Sequence, residues 1–153
     1  MVSAFNYAFA QEIKPYHPEE NAEAEILKSV QKAKNEGKFV LIQAGGNWCS
    51  WCLEFNRLTL ENKQIDSALN KNFIFYHLNY SKENLNLETF KKYGYPQRFG
   101  FPVFIILNQD GNQIHIQNSE YLEDGKKSYD VKKVLAFFKN WSPQAFDPKN
   151  YVK

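Results

Sequence analysis

Apolar residues along this chain recur at two periods, and the switches between them lay out its elements. Over residues 19–36, Ala22, Ile26, Leu27, Val30 and Ala33 return at helical spacing. Glu is crowded into the early part of that segment and Lys into the late part, as a helix dipole favours, and Gly37 ends it. Residues 38–44 follow as a short continuous run around Phe39-Val40-Leu41-Ile42, of strand length, and Gly45-Gly46-Asn47 is a turn signal. Leu53, Phe55, Leu58 and Leu60 restore the helical period; residues 59–62 interrupt it, and Ile65, Ala68 and Leu69 continue it in a second helical piece. Phe73 to Leu78 is a strand with mixed faces, and Leu85 to Tyr93 is a short helix ended by Gly94. Residues 102–108 are almost wholly apolar, which suits a strand buried on both faces. Gln109-Asp110-Gly111-Asn112 is a hairpin turn into a strand at 113–117. After a loop with Asp124-Gly125, Asp130 to Trp141 is an amphipathic helix that turns Val131, Val134, Leu135 and Phe138 inward. The order predicts an α/β domain, a mixed sheet flanked by helices, with no internal repeat.

The ends lack this patterning. Residues 1–18, with Pro15 and Pro18, read as an extended lead-in to a domain over 19–142, and Pro143 and Pro148 mark a loose tail over 143–153. Ala8-Phe9-Ala10 before Gln11 has the small-x-small spacing of a signal cleavage site, but no basic region or full apolar core precedes it. Two readings stand, the remnant of an export signal and a disordered tail.

Composition narrows the class. At 153 residues, 43% hydrophobic and 16% aromatic, the chain can bury the core of one domain. A formal net charge of +2 gives no footprint for nucleic acid, and no Gly-rich phosphate loop is present. The longest apolar stretch, Phe101 to Leu107, is far short of the roughly 20 residues that cross a bilayer. A monomer with no membrane span and no cofactor is expected.

Chemistry concentrates in Trp48-Cys49-Ser50-Trp51-Cys52, which contains the only two cysteines. They fall where a strand and a turn give way to a helix. Cys49 is placed at the helix N-terminus, where unpaired N–H groups and the dipole stabilise a thiolate, and Cys52 one turn further on the same face, within disulfide reach. Reversible exchange needs this pairing of an exposed, acidified nucleophile with a shielded resolving thiol. Two other readings compete. A structural zinc site would need about four ligands, and His17, His77 and His115 are scattered without metal-ligand spacing. An inert buried pair is the other, since free cysteine packs as a small hydrophobe.

Two stretches carry a resemblance over about residues 20–142. Trp48-Cys49-Ser50-Trp51-Cys52 is similar to the W-C-x-x-C motif of the thioredoxin superfamily, and Gly100-Phe101-Pro102-Val103-Phe104 to its motif around a cis-proline. Residues Phe55 to Leu60 and Phe73 to Asn79 look like the periplasmic branch, which includes the DsbD-type reductase C-terminal domain and disulfide isomerases. The resemblance implies a thioredoxin fold with a central mixed sheet of about four to five strands. It also implies a thiol–disulfide oxidoreductase with Cys49 as nucleophile and Cys52 as resolving thiol. Pro102 is expected in cis, with the backbone of Phe101 pairing with substrate; Trp48 and Trp51 are expected either to shield the disulfide or contact substrate, or to fill core. Cysteine-bearing proteins and an electron donor or acceptor would be its partners. A periplasmic or otherwise exported location follows, with the cytoplasm as alternative.

The departures from the family pattern bear on mechanism. Gln43 stands six residues before Cys49, where thioredoxins carry a buried Asp, and Asn56 stands four residues after Cys52, where the DsbD-type domain has a second acid. An amide can hydrogen-bond a thiol but cannot take its proton. Glu54, the nearest carboxylate, reads as an exposed helix charge, and His77 as a core or edge residue. No histidine separates the two cysteines, which favours a moderately reducing protein over a strong oxidant. The loss of both acids also admits a binding module that holds peptides without turnover.

Overall fold

A computed structural model describes residues 12–152; the signal-remnant reading of Ala8-Phe9-Ala10 lies outside them. The helices are α1 (Ala22–Glu36), α2 (Ser50–Glu61), α3 (Lys63–Asn72), α4 (Leu87–Lys92) and α5 (Val131–Asn140). The strands are β1 (Phe39–Gly45), β2 (Phe73–Asn79), β3 (Val103–Leu107) and β4 (Gln113–Asn118), in one sheet of order β2-β1-β3-β4. Strand β1 runs parallel to β2 and antiparallel to β3, and β4 is antiparallel to β3. This is the α/β thioredoxin-like architecture, with four strands.

Alternation of side chains sorts the two central strands between two cores. Leu41, Phe104 and Ile106 join Phe55, Ile65, Leu69 and Phe138 under α2, α3 and α5. Val40, Ile42, Val103 and Ile105 join Ala22, Ile26 and Phe90 under α1 and α4. Strands β1 and β3 are buried along their whole length, which is why their sequences are unbroken apolar runs. Phe55 sits with its ring 4.6 Å from that of Phe104 and fastens α2 to the sheet. Burying such a ring is worth about 2–3 kcal/mol.

Several helix ends differ from the periodicity by a few residues, and caps explain the difference. Helix α1 begins three residues later than its pattern, because Asn21 caps it by accepting from Ala24 N–H at 3.0 Å. The interruption at 59–62 resolves at Asn62, which closes α2 and whose side chain accepts from Gln64 and Ile65 N–H to open α3. Helix α4 is shorter than predicted, since Asn86 takes a left-handed conformation just before it. Beyond α5, two 3₁₀ turns start at Pro143 and Pro148, and the Phe146 ring packs 5.7 Å from that of Phe39.

Candidate active site

Strand β1 ends at Gly45, and a four-residue turn delivers the chain to α2 with Cys49 at its N-cap. Cys49 accepts the Cys52 N–H on its sulfur at 3.2 Å, so the sulfur itself caps an otherwise unpaired amide. The two cysteines are joined as a disulfide, their Cα atoms 5.2 Å apart. Cys52 is fully buried, as expected of a shielded thiol. Cys49 departs from the expectation of an exposed nucleophile: it is only 6% exposed. Tyr16, Trp51 and Phe101 pack around the disulfide and cover it.

The peptide bond between Phe101 and Pro102 is cis. Among the described residues the backbone N–H and C=O of Phe101 form no hydrogen bond, and the residue is half-buried beside the disulfide. The two tryptophans part company. Trp48 is 59% exposed, donates its indole N–H to Tyr80 O at 2.7 Å, and meets the Phe101 ring edge-on at 5.6 Å. Trp51 turns inward, packing edge-on to Tyr129 at 5.3 Å. A groove of about 880 Å³ runs beside Trp48, bordered by Leu53, Tyr80, Leu85 and the lead-in at Lys14 and Pro18.

Gln43 lies beneath Cys52, wholly buried, and donates its amide to Cys52 O at 2.9 Å, while its Oε1 has no partner. Asn56 is buried as well. Glu54 is not turned toward the thiols. Arg57 and the Ser128 hydroxyl hold it, at 2.6 Å each, and the Arg57 hydrogen bonds push its carboxyl below the ordinary carboxylate range. His77 lies on the edge strand β2, directly beside Gln43 in the parallel register and therefore on the same face of the sheet. Its Nε2 is buried without a partner, and burial lowers its pKa from 6.5 to about 4, so the ring is neutral near pH 7.

Tyr16 was not visible as a site residue in the sequence. It comes from the lead-in, yet it is 1% exposed and packs against both cysteines. Asn47, in the turn before Cys49, holds it by two hydrogen bonds, accepting from Tyr16 N–H at 3.1 Å and donating to Tyr16 O at 2.8 Å. Gly45 was the available signal, because a glycine ending a buried strand marks a close approach. A Cβ there would collide with Cys52 Sγ and stand 2.9 Å from the Tyr16 hydroxyl.

Among the described residues, no three His, Cys, Asp or Glu side chains gather as metal ligands, and no helix is long and apolar enough to cross a membrane.

A thioredoxin-like family model matches residues 21–109, more than half of the chain, and the chain belongs to that family. Its fold is similar to that of a disulphide isomerase from Xylella fastidiosa, with 24% identity and a TM-score of 0.73 over 86% of this chain and 98% of that one. It is also similar to the oxidised DsbD C-terminal domain of Neisseria meningitidis, at 17% identity and a TM-score of 0.57 over 78% and 95% of the two chains. A thioredoxin from Thermus thermophilus aligns at 13% identity and a TM-score of 0.50 over 82% and 92%. No curated protein matches the chain. The thioredoxin-like fold and the Cys49–Cys52 disulfide are together consistent with thiol–disulfide exchange.

Proposed function

We propose that the chain is a thiol–disulfide oxidoreductase that reduces or isomerises disulfides of other proteins through Cys49 and Cys52. The observation that carries this reading is the disulfide itself, which bridges the N-cap of α2 to its first turn beside the cis bond before Pro102. In the reduced protein the Cys49 thiolate, stabilised at the helix N-terminus, attacks one sulfur of a substrate disulfide. A Cys49–substrate bond forms, the substrate S–S bond breaks, and the departing thiolate takes a proton from water. Cys52 then loses its proton and attacks Cys49. The Cys49–Cys52 bond forms and the second substrate thiol leaves, so two electrons have passed from the dithiol to the substrate.

The free N–H and C=O of Phe101 suit pairing with an extended substrate strand, and Trp48 and the neighbouring groove offer it apolar contact. Partners are cysteine-bearing proteins and a thiol donor that returns the pair to the reduced state. An exported, disulfide-permissive compartment such as the periplasm fits this substrate class.

Insulin reduction with dithiothreitol tests the reading. The protein should accelerate precipitation of the insulin B chain over dithiothreitol alone, and Cys49→Ser should abolish the acceleration. Absence of acceleration by the unmodified protein would leave a peptide-binding module in its place. The reduction potential addresses direction: a value nearer about −270 mV than about −120 mV supports a reductant.

A further inference from the structure

Cys52 is completely buried, and as a thiolate it needs a hydrogen-bond donor, because an unpaired charge in such a place is strongly disfavoured. The nearby donors are mostly committed. The Cys52 N–H points at Cys49 Sγ, and the Gln43 amide at Cys52 O. The Tyr16 hydroxyl is buried without any partner, and it and Cys52 Sγ both crowd the point where a Cβ on Gly45 would stand. Its position is not accidental to a loose segment, since Asn47 clamps the Tyr16 backbone from both sides.

We propose that Tyr16 is a catalytic residue of the exchange reaction, its hydroxyl donating a hydrogen bond to the Cys52 thiolate during resolution of the mixed disulfide. Tyr16 precedes the segment matched by the family model, so this donor is supplied by the lead-in. The inference rests on the exchange reading given above. In the step concerned, Cys52 gives up its proton to solvent and attacks Cys49; the Cys49–Cys52 bond forms, the Cys49–substrate bond breaks, and the substrate leaves as a thiolate that solvent protonates. The two electrons of the new bond come from the Cys52 thiolate, and those of the broken bond leave with the substrate. Tyr16 keeps its own proton throughout. Burial holds its phenol well above the ordinary 10, so the group stays a donor wherever the thiolate exists.

The other titratable groups around this point are identifiable. His77 faces it from β2, its ring edge-on to Tyr16 at 5.1 Å. Tyr129, from the segment before α5, donates its hydroxyl to Trp51 O at 3.0 Å. His17 follows Tyr16 and acts electrostatically on His77. Glu54, on α2, is tied to Arg57 and Ser128.

The test uses the reduced full chain and 5,5′-dithiobis(2-nitrobenzoate). Attack by Cys49 releases one nitrothiophenolate, and attack by Cys52 on the resulting mixed disulfide releases the second, so the two steps appear as two absorbance phases. In Tyr16→Phe the first phase should stay within about twofold. The second should slow about tenfold at pH 7 and have its pH midpoint raised by about one unit, as expected for loss of a hydrogen bond to a charged group. The oxidised variant should melt no lower than the parent, since the deleted hydroxyl has no partner there. Should Tyr16→Phe not fold, Asn47→Ala, which frees the lead-in segment carrying Tyr16, should give the same rise in midpoint. A second phase unchanged from pH 6 to 9, or slowed without a change of midpoint, overturns the proposal. So does a midpoint that moves in His77→Gln and not in Tyr16→Phe. Both phases appearing in a protein that fails to reduce insulin would overturn the proposed function and leave the role of Tyr16 intact.

Discussion

Replacing Gln43 by Asp places a carboxyl at a completely buried point beneath Cys52, and the structure fixes what should follow. The substitution removes the amide donor to Cys52 O, a loss of about 1 kcal/mol at any pH. It also adds a group whose charged form is desolvated. Burial of this degree raises a carboxyl by about 3 units above its free value near 4. The folded protein then binds a proton that the unfolded chain has released. Stability is therefore retained below about pH 4 and lost as pH rises toward about 7, by about 4 kcal/mol in all. For a chain of this size that corresponds to a melting temperature roughly 12 °C lower at pH 8 than at pH 4, relative to the parent's own change. The same carboxylate can take the Cys52 proton, so resolution of a mixed disulfide should quicken at neutral pH. His77, beside Gln43 in the register, is placed to relieve the new charge by taking a proton, and His77→Gln in the same background should deepen the loss. Thermal melting from pH 4 to 8 with stopped-flow turnover of a peptide disulfide measures both effects. A Gln43→Asp protein that melts like the parent at every pH and turns over no faster would refute the burial argument.

In the parent, His77 is charged in the unfolded chain below about pH 6.5 and in the folded one only below about 4, so stability should fall by about 3 kcal/mol as pH drops through that window. Denaturant titration at pH 7 and 4.5 should show a fall that His77→Gln largely removes. Gly45→Ala forces a methyl group against Cys52 Sγ and the Tyr16 hydroxyl and should destabilise the oxidised protein by about 1–3 kcal/mol, seen as a lower melting temperature. Trp48→Ala should raise KM for a peptide disulfide severalfold while changing stability by less than about 1 kcal/mol, because the ring is mostly exposed; Trp51→Ala, which strips an inward ring from Tyr129, should instead cost about 2 kcal/mol in denaturant titration.

What the sequence conveyed was what local pattern controls. Strands β1 and β3 are unbroken apolar runs because both of their faces are covered, and the two cysteines fall at the start of α2 because the apolar period resumes there. The place of Gln43 beneath Cys52 was legible only through the resemblance, as the position where thioredoxins carry a buried Asp, and the structure has it buried there against Cys52 O. The rest depends on contacts between distant positions. Tyr16 sits in a proline-flanked segment without periodicity and is placed by Asn47, 31 residues away. Trp48 and Trp51 look alike as flanking aromatics. Only the direction of the turn into α2 sends one toward solvent and the other toward Tyr129. The cover over Cys49 likewise comes from separate segments, Tyr16 and Phe101, that no local pattern relates to the helix start.

The most direct test of the account is to trap its intermediate. Reduced Cys52→Ser and Cys49→Ser variants would each be mixed with a disulfide-bonded peptide and mapped by mass spectrometry after acid quenching. The account predicts a persistent peptide adduct on Cys49 in the Cys52→Ser protein and little or none on Cys52 in the Cys49→Ser protein. Adducts on Cys52 alone, or on neither cysteine, would contradict it.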